Sequence, residues 1–276
     1  MRFAPLRLGP VAAAAALLLA TGMAHADATL KVGKAIAGPF DFTPLDVGIA
    51  KGFFARHGLK IEEYNFAGSA KLQQGLAAKA IDIGLGSGPE LAFVAKGNAD
   101  LGVADFCGPP AGLVLVVRTK APIHSLADLK GRRISVSTVN GLTDWMVHEI
   151  SRRQGWGTNG IDVVPLGSDE AQIASMRIGE TDGMPLDVAS AALLEQKGDV
   201  RILLRFGEVV KDFINHVTFA TDDIIRQHPD EVRAFNEGWF ETVKWMRTNK
   251  AESVRIATPV MRKPGDIVAR AYDVVM

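Results

Sequence analysis

The sequence predicts an α/β protein of two lobes, each a mostly parallel sheet flanked by helices, with a cleft between the lobes. Three observations carry this. Apolar, strand-like runs alternate with helix-like runs from Leu30 to Thr221. The alternation falls into two groups, parted by the turn-rich Cys107-Gly108-Pro109-Pro110. After Thr221 the pattern is helical only.

In the first group, residues 30–35 read as a strand and 44–55 as a helix stopped by Gly58. Residues 59–66 follow as a strand, 70–79 as a helix, 81–85 as a short strand, 89–96 as a helix and 100–104 as a strand. The second group opens with 113–117, almost pure Leu and Val. Ser125 caps a short helix that Gly131 closes. Strands follow at 134–138, 161–165, 181–184, 200–204 and 216–221, with helices at 143–154, 170–178 and 185–196. Residues 222–227, 229–248 and the stretch from 251 are helical in pattern. The expected division is 27–112 plus 222–276 for the first lobe and 113–221 for the second. Residues 113–117 and 216–221 serve as connecting strands, because no long Pro/Ser linker is present.

The 276 residues are 47% hydrophobic and 22% charged, in the range of a globular chain. Lys plus Arg and Asp plus Glu both number 31, and this balance argues against general nucleic-acid binding. At the N-terminus Arg2 and Arg7 precede a short apolar run, and Ala24-His25-Ala26 is an A-x-A cleavage site. Residues 1–26 therefore read as a secretory signal peptide cut after Ala26, which places the mature chain outside the cytoplasm. Its removal leaves 29 basic and 31 acidic residues. Cys107 is the only cysteine, so no internal disulfide forms and the fold relies on its core.

Pro-Leu-Asp-Val occurs twice, at 44–47 and 185–188. Proline suits the first position of a helix and aspartate the first turn. Thr43 can cap the first copy, whereas Met184 cannot cap the second. Either each copy is simply a good helix start, or each marks one wall of a cleft at the carboxyl ends of strands.

The stretch PLDVGIAKGFFARHGLKIEEYNF resembles the opening of periplasmic solute-binding proteins that serve ABC importers of taurine, alkanesulfonates, nitrate and thiamine precursors. GLAAKAIDIGLGSGPEL, SLADLKGRRISVS and MRIGETDGM resemble later stretches of that group, in the same order. The resemblance runs from Leu30 to the C-terminus. It implies the two-lobed fold of a type II periplasmic binding protein, closing on a small ligand. It also implies delivery to an inner-membrane ABC permease, a monomeric periplasmic protein, no cofactor and no catalysis. The group has more helical C-terminal sequence than this chain, which reads as short at that end.

By position, the resemblance places ligand contacts at strand-to-helix junctions. Gly38 and Phe40 follow the first strand; Phe40 either stacks on a ligand or packs in the core. Ser87 and Gly88 lie in a glycine turn that either admits a ligand to the backbone or is a plain turn. Asn140, Gly141 and Thr143 stand at a helix start, where free N–H groups bind an anionic or carbonyl oxygen and Thr143 also serves as a cap. Met184 and Asp187 form the fourth junction, with Met184 where the group carries an aromatic residue. Asp41, Asp144 and Asp187 lie near these rims; if they face the cleft, the ligand carries donors.

Two other functions are open to such a fold. A pyrimidine-synthase-like enzyme shares the fold but depends on a Cys- and His-rich site, and Cys107 stands alone. A periplasmic ligand sensor needs a membrane segment or partner domain. No G-x-S-x-G, phosphate-loop or H-E-x-x-H motif occurs, and the histidines lack metal spacing.

Overall fold

The computed structural model describes residues 28–276, so the signal-peptide reading of 1–26 lies outside the described residues. The first sheet contains β1 (Ala28–Lys34), β2 (Leu59–Asn65), β3 (Ile83–Ser87), β4 (Asp100–Cys107) and β10 (His216–Thr221), in the order β2-β1-β3-β10-β4. The second contains β5 (Leu113–Arg118), β6 (Arg133–Val136), β7 (Asp162–Pro165), β8 (Gly183–Asp187) and β9 (Val200–Arg205), in the order β7-β6-β8-β5-β9. This is the expected pair of helix-flanked sheets.

Each sheet has one reversed strand. β10 runs antiparallel to β3 and β4, and β5 antiparallel to β8 and β9. These are the first strands after the chain crosses between lobes. A chain arriving from the other lobe enters at the cleft and must run away from it, whereas β1, β3, β6 and β8 end there. β10 belongs to the first sheet, so the return crossing falls at residues 210–215. The second lobe ends before 216, earlier than the expected boundary at 221.

The helices between strands are α1 (Thr43–Lys51), α2 (Phe53–Arg56), α3 (Ser69–Ala77) and α4 (Leu91–Ala95) in the first lobe. The second has α5 (Leu142–Arg153), α6 (Asp169–Arg177), α7 (Val188–Gln196) and the short α8 (Phe206–Val209). The tail consists of α9 (Asp222–Gln227), α10 (Pro229–Met246), α11 (Lys250–Met261) and α12 (Gly265–Val275). The helix expected over 44–55 is divided at Gly52, whose φ of 70° interrupts the right-handed path.

One core lies between the first sheet, α3 and α10, where Phe54 stacks on Phe235 at 5.3 Å. Two cores cover opposite faces of the second sheet. Leu115 and Val117 face one, Val114 and Val116 the other, which explains the uninterrupted apolar run of β5. A fourth core joins Phe40 and Val47 to Ala189 of α7 through Met261, Val268 and Tyr272 of the tail. The tail thus packs on both lobes, not on the first alone.

Candidate functional site

The two copies of Pro-Leu-Asp-Val take different structures. Pro44 stands in the first turn of α1 behind Thr43, which is the helix's first residue and not its cap, and Asp46 pairs with the wholly buried Lys34 at 2.8 Å; Glu63 approaches the same ammonium at 2.9 Å. Burial raises the Asp46 carboxyl to about 6, outweighing the attraction of Lys34. Pro185, by contrast, lies in β8 opposite Leu115. Pairing of β8 with β6 is confined to Gly183, so the missing N–H of Pro185 leaves no gap in that ladder. The expected helix start at 185 therefore moves to Val188, and Asp187 becomes its N-cap.

Two predicted contacts pack in cores. Phe40 is buried edge-on to Tyr272, at 5.8 Å and 82°. Met184 is wholly buried with Val114, Val116 and Leu194, because its side chain points into the second lobe and not along the rim. Gly38 does reach an interlobe cavity of about 520 Å³, together with Lys34, Asp169, Ser190 and Lys263.

Ser87 is the N-cap of a short 3-10 turn. Its N–H and hydroxyl donate to Glu90 Oε1 at 2.7 and 2.9 Å, and Gln73 Nε2 donates to Oε2 at 3.1 Å. Burial raises the Glu90 carboxyl to about 7 against these bonds. Gly88 is required by sterics, since a Cβ there would lie 2.0 Å from the Ile214 carbonyl oxygen.

The second-lobe junction is closed by its own side chains. Asn140, at φ 61°, donates its N–H to Asp144 Oδ2 at 2.7 Å. Ser137 N–H donates to Thr143 Oγ1 at 3.0 Å, so Thr143 braces the preceding loop. Across the cleft, Ala70 N–H donates to Thr138 Oγ1 at 3.3 Å. A Cβ on Gly141 would sit 3.3 Å from the Ser69 Cβ. Gly68-Ser69-Ala70 and Thr138–Gly141 therefore meet across the cleft. The sequence pattern places this helix at 70–79 but assigns none of Gly68-Ser69-Ala70 to the site, although Gly68-Ser69 before a helical run was the available signal. Asn140 and Asp144 also line a second interlobe groove of about 330 Å³ with Pro89, Phe93, Trp145 and His148.

At the crossings, Cys107 donates its thiol to Asp41 Oδ1 at 3.4 Å, and Asn215 Nδ2 donates to Cys107 Sγ at 3.7 Å. Burial and the Asp41 charge push the Cys107 thiol far up, which keeps it a thiol and a poor nucleophile. His216 lies between Phe42 and Phe106, with ring centroids at 4.7 and 5.5 Å. Burial lowers its pKa and keeps it neutral. Nδ1–H then donates to the Gly86 carbonyl at 3.1 Å, leaving Nε2 an acceptor with no partner among the described residues. Asp187 Oδ1 accepts from Ala189 and Ser190 N–H at 3.0 and 2.9 Å, while Oδ2 has no partner there. Burial and then the Asp187 charge raise the nearby Asp169 carboxyl to about 7. Among the described residues, no group of three His, Cys, Asp or Glu is placed to hold a metal ion.

Solved structures share this architecture. The alkanesulfonate-binding protein SsuA of Xanthomonas axonopodis pv. citri matches with a TM-score of 0.76 and 19% identity, over 90% of this chain and 84% of its own. The nitrate-binding protein NrtA of Synechocystis PCC 6803 matches at 0.74 and 18%, over 88% and 69%. A Candida albicans protein described as having the generic periplasmic binding protein fold matches at 0.75 and 17%, over 90% and 81%. At these identities the likeness is one of fold. A Haemophilus influenzae protein named for thiamine biosynthesis is 32% identical over 114 residues, which are 40% of this chain and only 36% of that protein. The NMT1/THI5-like family profile matches residues 39–253, from just after β1 and Gly38 into α11, and so takes in the second sheet, both crossings and the junctions at Ser87–Gly88, Asn140–Thr143 and Met184–Asp187. On that match the chain belongs to the NMT1/THI5-like family.

Proposed function

We propose that the protein is the extracytoplasmic solute-binding component of an ABC importer. It would capture a small organic ligand between its lobes and deliver it to an inner-membrane permease as a monomer. The observation that carries this is the cleft itself. Two short crossings join two separate sheets, and junctions from both halves meet at Ala70 and Thr138. Lobes joined in this way close around a ligand by hinge motion. Family membership and the fold shared with SsuA and NrtA support the same reading. A binding role without turnover is favoured because the one cysteine is a partly buried thiol that donates to Asp41.

The test is native mass spectrometry of protein recovered from the periplasm. The mature mass should begin at Asp27, with a small molecule released unchanged on denaturation. Conversion of that molecule at catalytic rates, or full-length chain confined to the cytosol, overturns the proposal. Thr138→Arg should prop the cleft open and empty it while the thermal melt stays near that of the parent.

A further inference from the structure

The donors and acceptors around the cleft are unevenly spent. Several N–H groups at the cleft junctions are already taken by the chain's own oxygens. Ser87 gives its N–H to Glu90, Asn140 to Asp144, Ser137 to Thr143 and Ala70 to Thr138. Acceptors are left over. Asp187 Oδ2, Asn215 Oδ1 and His216 Nε2 have no partner among the described residues, and each of these side chains is at most 4% exposed. A buried acceptor without a donor is costly and signals a missing partner.

These acceptors adjoin carboxylates. Asp41 lies against Gly112, where a Cβ would be 2.9 Å from its Oδ2. The Gly112 carbonyl accepts from Val188 N–H at 2.9 Å, directly after Asp187. The Asp187 charge in turn reaches Asp169, whose Oδ2 lies 3.7 Å from a Cβ built on Gly38. Lys263 is the cation nearest Asp169, and Arg247 and Arg262 are exposed at the surrounding cavities.

We infer that the ligand presents a cationic, donor-rich nitrogen group, such as an ammonium or amidinium, to the strip formed by Asp41, Asp187 and Asp169, and that an anionic head group is not what this cleft recognises. This rests on the solute-binding reading. Asp187 is well suited to the task, because one oxygen orders α7 and the other remains free for a charge-assisted bond.

Isothermal titration of the mature protein at pH 7 tests the assignment. Putrescine, agmatine and argininamide serve as cationic probes, ethanesulfonate and nitrate as anionic ones. At least one cationic probe should bind. Asp169→Asn, and Asp187→Asn with its capping oxygen retained, should each weaken that binding roughly tenfold, the loss expected of a charge-assisted bond. Lys263→Gln should strengthen it. Thermal melts of each variant check that the fold is kept. Binding of an anionic probe that Lys263→Gln weakens overturns this inference and leaves the solute-binding reading standing. Binding of no probe of either kind, with no molecule co-purified, overturns both.

Discussion

Glu90 is a carboxylate that folding holds close to its neutral form. It is wholly buried, and its oxygens accept from Ser87 and Gln73 without a cationic partner. Desolvation dominates, and the carboxyl rises from 4.5 to about 7. A group whose folded pKa is raised stabilises fully below its unfolded pKa and loses that contribution as pH rises through the folded one. Glu90→Gln keeps an acceptor for Ser87 and cannot ionise. Between pH 5 and 7.5 the parent should therefore lose stability relative to this variant, by on the order of 3 kcal/mol at 1.36 kcal/mol per unit. Urea denaturation of both proteins at the two pH values measures it; parallel behaviour across the window refutes the account. Gly88 belongs to the same turn, and there a backbone collision with Ile214 decides the residue.

The repeated tetrapeptide shows how far element-level signals reach. In α1, Asp46 holds a buried lysine; at the end of β8, Asp187 caps a helix. Asp187→Ala should cost about 1 kcal/mol, the value of an N-cap. Asp46→Ala should cost about 2 kcal/mol, because a hydrogen bond to a buried charge is lost while Glu63 still serves Lys34. Equal losses in chemical denaturation would contradict the assigned difference. Periodicity made every strand legible within a few residues, since each carries an apolar face. It misplaced the second helix start because Pro-Leu-Asp-Val suits a helix, and only the pairing of Pro185 with Leu115 makes it a strand. The junctions Ser87–Gly88 and Asn140–Thr143 were legible from glycine and small polar residues. That Ser87 and Asn140 already give their N–H groups to Glu90 and Asp144 was not, because those partners are fixed by side-chain geometry. Met184 packs in a core because alternation along β8 does not say which of its two covered faces meets the cleft, and Phe40, in the short turn before α1, takes the packing alternative to stacking on a ligand.

At the scale of the whole molecule, the tail does more than complete the first lobe. Phe40 and Val47 from the first lobe and Ala189 from α7 of the second share one core with Met246, Met261, Val268, Ala271 and Tyr272. Tyr272 anchors it, edge-on to Phe40 and donating its hydroxyl to the Met246 carbonyl at 2.5 Å. A core with members from both lobes makes their unfolding cooperative, even though the crossings are short and the sheets separate. Three of the four tryptophans report on single sides: Trp239 packs in the first-lobe core, whereas Trp145 and Trp156 pack against the second; Trp245 packs against the shared core and is replaced throughout. Paired Trp→Phe variants that keep only one side's indoles should show coincident urea transitions in the parent. Tyr272→Ala removes a large buried ring and should destabilise the protein by about 3 kcal/mol. It should also pull the two transitions apart, because the lobes then lose the core they share. Separate transitions in the parent, or a variant in which both sides shift together by the same amount, would show that the lobes are coupled by something other than the tail.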